Sequence, residues 1–228
     1  MGLLDRLRAR LRGSARPAST RPSLAIRPSE MLLRKRNRLT GPASDDHEFT
    51  LRQRLHDDPN DTEAFAALAD VVRRQAAEGH EDAERRPRAA NDAVWALAEE
   101  LAHSSKAWYP LIELGRLSLH EDLEGAQRRL GIAVEREPTG RALAEGLAML
   151  RREGMPEVAL ALGVGHWRPR EHVPGAGREL VQAAAEAGRI GEARRHLDAL
   201  AEHPDADVTD LRDQLDSLAA RRRGTAPA

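Results

Sequence analysis

Nine histidines are the side chains of this chain best suited to hold a metal ion or move a proton. Their spacing argues for neither. His166 and His172 are separated by a loop segment carrying Pro169, and His196 and His203 stand two helical turns apart with no third ligand in register. Histidines lying at the surface are the plainer expectation. Glu99-Glu100 and Asp57-Asp58 are adjacent carboxylates, but general acid–base work needs two carboxyls of contrasting burial, and these read as solvated charges near helix ends. The absence of cysteine removes disulfides, thiolate zinc sites, iron–sulfur clusters and a thiol nucleophile. There is no G-x-S-x-G elbow, no Walker loop and no H-E-x-x-H. GVG at 163–165 and GAG at 175–177 lack the strand–helix context and the further glycine of a phosphate cradle, and read as loop punctuation. The expectation is a non-enzymatic protein with no cofactor and no resident metal.

The elements that would position any binding surface are helical. Aromatic residues make up only 3% of the chain, while Ala, Leu, Arg and Glu dominate, a mixture that favours helices over sheets. No run of 18 apolar residues could span a membrane, and no apolar leader segment precedes a small-residue cleavage site, so a cytoplasmic location is expected. Arginine outnumbers lysine 34 to 2, a skew that GC-rich bacterial coding produces.

Charge divides the chain. Residues 1–40 hold eleven Lys/Arg against Asp5 and Glu30, a net +9, so residues 41–228 carry −10. Residues 1–43 read as a basic, largely disordered arm with three prolines in GSARPASTRPSLAIRPS. Leu3, Leu4, Leu7 and Leu11 share one face of a short amphipathic helix, and Arg34, Lys35, Arg36 and Arg38 form a basic run in a second short segment over 30–39. These residues suit weak contact with an anionic membrane surface or with phosphates, which makes a peripheral membrane or nucleic-acid-associated protein the alternative function. The arm lacks the interleaved aromatics that stack on bases, which counts against nucleic acid. The remaining readings are an autoinhibitory arm that folds onto the acidic body, and a solubilising tail, or a targeting peptide if the source is eukaryotic.

From residue 44 the pattern is steady. Ser44 or Asp45 caps a helix that Pro59 ends, and Asp61 or Thr62 caps the next, with Phe65, Leu68, Ala69 and Val72 on one face. Further helices read over 88–102, 107–120, 122–136, 140–153, 156–165, 176–187, 190–202 and 207–222. Their separators are short and built from Gly, Pro, Ser and Asp. Residues 223–228 read as a tail.

LRQRLHDDPNDTEAFAALADVV resembles the junction between two tetratricopeptide repeats, and Pro138 and Pro204 punctuate the chain in the same way. Phe65/Leu68/Ala69 and Leu111/Leu114/Gly115 match the family's first helix, which carries a large apolar residue and then Leu and a small residue. Ala126 with Leu130, Ala133 and Pro138 matches the second helix, as does Ala193 with Leu197. The resemblance covers roughly 45–222, is good over 107–138 and 177–204, and departs from the pattern at Gly163, where a large apolar residue is expected, and at HWRPREHVPGAG. It implies an all-α solenoid of antiparallel helix pairs in a right-handed superhelix over 44–222, with 207–222 as a terminal capping helix of polar outer side.

It also implies a function, a scaffold that captures a partner segment on the concave side lined by first helices. The side chains facing that groove would be Glu63, Ala66, Asp70, Arg73, Tyr109, Ile112, Arg116, Arg141, Ala144, Arg151, Arg178 and Gln182. Five arginines against two acids make the expected partner a protein or peptide with an acidic segment or free carboxylate, because a guanidinium fork pairs bidentately with carboxylate. Arg178 with Gln182 resembles half of the family's carboxylate clamp, without a matching pair in an adjacent repeat. Trp95 and Trp108 read as core anchors, and Trp167 as a lid or a plug.

Overall fold

Pro42 opens a succession of helices whose boundaries follow from capping chemistry. The computed structural model describes residues 42–79 and 82–224. Among them are ten α-helices and no strand: α1 (Pro42–Asp57), α2 (Thr62–Glu78), α3 (Arg86–Ala102), α4 (Tyr109–Ser118), α5 (Leu123–Arg136), α6 (Arg141–Arg152), α7 (Pro156–His166), α8 (Pro174–Glu186), α9 (Ile190–Ala201) and α10 (Thr209–Gly224). All belong to one unit that begins at Pro42.

Several prolines sit inside first turns, Pro87 and Pro174 among them although the expected helices began after both. Pro87, Pro110, Pro156 and Pro174 each occupy the first or second position of a helix, where the missing N–H would have no intrahelical acceptor anyway. Hence α1 starts at Pro42 rather than at Ser44 or Asp45, and α8 at Pro174 rather than at 176. The basic helix read over 30–39 lies outside the described residues.

Two junctions show how short polar segments organise the packing. In the first, the Asp61 carboxylate accepts the Ala64 N–H at 2.9 Å and so caps α2, which holds its pKa below the ordinary carboxylate value. Its neighbour Asn60 reaches a helix start 48 residues away. Its Oδ1 accepts the N–H groups of Trp108 (2.7 Å) and Tyr109 (3.1 Å), and its Nδ2 donates to the Lys106 carbonyl at 3.0 Å. One five-residue knot therefore sets the start of both α2 and α4. Beside it, Arg136 from the last turn of α5 donates to the carbonyls of Ala102, Ser104 and Ala107, satisfying acceptors left open where α3 ends.

In the second junction, α6 has no cap of its own, because its flanking residue is Gly140 at φ 87°. The Glu137 carboxylate, 5% exposed, takes over and accepts from the N–H groups of Arg141 (2.6 Å) and Ala142 (3.2 Å), and from Thr139. Burial pushes the Glu137 carboxyl up, but the hydrogen bonds from Thr139, Ala142 and Arg141 outweigh it and leave the pKa below the ordinary value.

The core is aliphatic and runs from Leu51 in α1 to Leu215 in α10. Every extensively packed helix pair lies one or two elements apart in the chain. Phe65, Leu68 and Ala69 are buried as the periodicity predicts, but Val71 is more deeply buried than Val72, because α2 is covered from two sides by α1 and α3. Ala126 and Ala193, small residues of the resemblance, have no exposed surface, and neither has Ala159 in α7. Gly163 is a departure with a cause. A Cβ there would lie 2.5 Å from Leu180 Cδ1, and Leu147 closes in at 3.5 Å, so neighbouring leucines already fill the space that a large residue would take.

Candidate functional site

The groove residues named from the sequence lie on α2, α4, α6 and α8, and their charges are already engaged within the chain. Arg73 on α2 donates to Asp70 at 2.9 Å. Arg116 on α4 forks onto Glu113 Oε2 through Nε (3.0 Å) and Nη2 (2.9 Å), while the Tyr109 hydroxyl donates to Glu113 Oε1 at 3.3 Å. Burial first, and the Glu113 carboxylate second, push the Tyr109 phenol up to about 12. Arg141 on α6 lies 3.8 Å from Glu137, and Arg178 on α8 donates to the Asp207 carbonyl. Glu63 and Ala66 are exposed and Ala144 is half-buried, but Ile112 is 2% exposed and belongs to the core rather than to a groove.

Arg151 is the most extensively hydrogen-bonded of these residues. From the last turn of α6 it reaches across to α8, donating to both Glu186 oxygens (2.9 and 2.6 Å), to Glu179 and to the Gln182 side-chain carbonyl. Burial works against its charge, but the hydrogen bonds it donates to Glu186 and Glu179 overcome that and stabilise the guanidinium. The structure thus joins Arg151 to Gln182 and separates Gln182 from Arg178, which point to different partners.

Beside Arg151 and Gln182 opens a cavity of about 370 Å³ between α8 and α10. Its floor is Val181, Ala185, Leu211 and Leu215, its lip is Leu218 at 39% exposure, and its rim carries Gln182, Glu186 and Gln214. The α10 contribution was missed by the sequence reading, which took 207–222 only as a cap. The signal was present in Leu211, Leu215 and Leu218, which recur at i, i+4 and i+7. A second cavity of about 470 Å³ lies at the other end of the unit, between α1, α2 and α3, under the exposed ring of Phe49.

Other residues singled out from the sequence fall as follows. Trp108 is buried, while Trp95 is half-buried with the Arg129 guanidinium 5.0 Å from its ring centroid. Asp57, Asp58, Glu99 and Glu100 are exposed. His172 corrects the surface expectation for histidines: it is 4% exposed, because the loop before α8 folds back onto Gly140 and carries it inside. Among the described residues no group of three His, Asp or Glu side chains is arranged to hold a metal ion, and no helix is long and apolar enough to cross a membrane. The arm residues Leu3, Leu4, Leu7, Leu11, Arg34, Lys35, Arg36 and Arg38 lie outside the described residues. A scan of protein-family models finds no match to the chain, and comparisons with curated proteins and with solved structures find none either.

Proposed function

We propose that residues 42–224 form a tetratricopeptide-like array of antiparallel helix pairs, and that the protein is a non-enzymatic scaffold. It captures a segment of a partner protein on the face built by α2, α4, α6, α8 and α10. Two features support the array. Extensive packing joins only helices one or two elements apart, and alternate helices touch directly, α4 with α6 and α6 with α8.

The observation that carries the capture reading is the α8–α10 cavity, with its apolar floor, its Leu218 lip and a rim of two glutamines. That combination suits one apolar side chain of a bound segment, with the Gln182 and Gln214 amides available to the segment's backbone. The arginines narrow the expected acidic preference. Each is already neutralised or hydrogen-bonded, so an incoming carboxylate gains only by exchange. The favourable place for exchange is Arg151, whose present partner Glu186 is exposed.

A photo-crosslinking side chain placed at Leu218 in the full chain tests this, with the same group at the exposed Val164 of α7 as control. The reading predicts a discrete protein adduct from position 218 and none from 164, depleted by Arg151→Ala combined with Gln182→Ala. Equal labelling from both positions, or no adduct at 218, removes it.

A further inference from the structure

The loop between α7 and α8 is held down at its two ends by contacts of Trp167 and His172. Trp167 begins it, and the indole lies against the first turn of α8. A Cβ on Gly177 would stand 2.8 Å from the ring, so the slot exists only because that residue is glycine. The His196 ring from α9 closes the slot edge-on, with centroids 5.9 Å apart at 79°. Inside it the indole N–H is buried with no acceptor, a cost the closed loop carries continuously.

The far end of the loop is pinned by His172. The Val173 N–H donates to the Thr139 carbonyl at 2.8 Å, and the His172 side chain presses on Gly140, where a Cβ would stand 2.5 Å from its Cβ and 2.6 Å from its ring. His172 Nδ1 accepts the Arg168 backbone N–H at 3.4 Å, which makes the other nitrogen the protonated one in the neutral ring. A proton on Nδ1 would set two donors against each other.

We propose that residues 167–173 are an acid-released strap: protonation of His172 and His196 lifts the Trp167 indole from its slot over Gly177 and exposes the first turn of α8. This goes beyond the capture reading and does not rest on it.

The groups around the two rings set the sign. Burial, then the Arg168 guanidinium, and more weakly His166, disfavour charge on His172, against the opposing carboxylates of Glu171 and Glu137. Burial and Arg195 disfavour it on His196, against Glu192. Both pKa values therefore lie below that of a free histidine. Stability of the closed strap is fully present above the ordinary histidine value of about 6.5 and is lost as the pH falls through the lower values of the closed form. An ion pair from Arg170 to Glu202 at 2.7 Å also ties the strap to the residue that follows α9, but both side chains are exposed, so it adds little.

The test is fluorine NMR of the full chain carrying fluorotryptophan at Trp95, Trp108 and Trp167, with the third resonance assigned by Trp167→Phe. Between about pH 8 and about pH 5 the Trp167 resonance should move to a solvent-exposed position while the other two stay. Over the same range the Val173 amide should lose at least about tenfold of its exchange protection, after correction for the intrinsic rate. In His172→Gln/His196→Gln both changes should vanish. The proposal is overturned if Trp167 stays in place to the lowest pH, if it moves only together with Trp95 and Trp108, or if the double variant shows the same transition. Should that variant fail to fold, the fluorine titration and the Val173 amide of the unaltered chain decide alone.

Discussion

The junction at Asp57–Asp61 and the junction at Glu137–Arg141 do the same job with different chemistry. Each places a polar side chain against N–H groups at the start of a helix that cannot cap itself. At the first, the neutral Asn60 amide reaches α4 from 48 residues away and donates as well as accepts. At the second, the Glu137 carboxylate serves the helix that follows it, almost wholly out of solvent. An amide costs less to bury and is indifferent to pH. A carboxylate binds N–H groups more strongly but must keep its charge in a poorly solvated place. The two junctions should therefore differ in how they respond to truncation and to acid.

The largest effect is expected from Glu137→Ala. It strands the Arg141 and Ala142 N–H groups beneath the strap, and about 3 kcal/mol of stability should be lost, read from the denaturant midpoint. Asn60→Ala should cost less, about 1–2 kcal/mol, because Asn60 is only half-buried and water replaces part of the cap. A loss at Asn60 equal to or greater than that at Glu137 would break the contrast. The smallest effect is the sharpest. Glu137→Gln keeps the shape and removes the charge, so it should cost about 1 kcal/mol near neutrality. The Glu137 pKa is depressed in the folded chain, so its contribution is present above the ordinary carboxylate value and fades as the pH falls through the folded value. The penalty of Glu137→Gln should accordingly shrink towards zero in acid while that of Asn60→Ala holds constant, as parallel unfolding curves across pH would show.

Much of the helical order was legible because it is local. Asp61 as the α2 cap, the Phe65/Leu68/Ala69 face, and the turns at Gly140, Gly154 and Gly188 follow from capping preference, a 3.6-residue period and the left-handed backbone of glycine, and all three glycines have positive φ. The candidate site was legible only in part. Arg151 and Gln182 were named through the resemblance, and they do meet, but helical spacing is silent about what lies across the gap. It could not show Glu179 and Glu186 closing on Arg151, nor Leu211, Leu215 and Leu218 arriving from α10 to floor a cavity.

What the amino-acid sequence determined by itself is the helical state of the chain from Pro42 and the faces it buries. Propensity, caps and periodicity act within a few residues and need no partner. Tertiary structure alone decided which polar groups became internal. Asn60 found α4, Arg151 found Gln182, and the segment that looked like an irregular loop carried Trp167 onto Gly177 and His172 onto Gly140. Each depends on atoms tens of residues apart meeting within a hydrogen bond's length, a distance that only the packed chain defines.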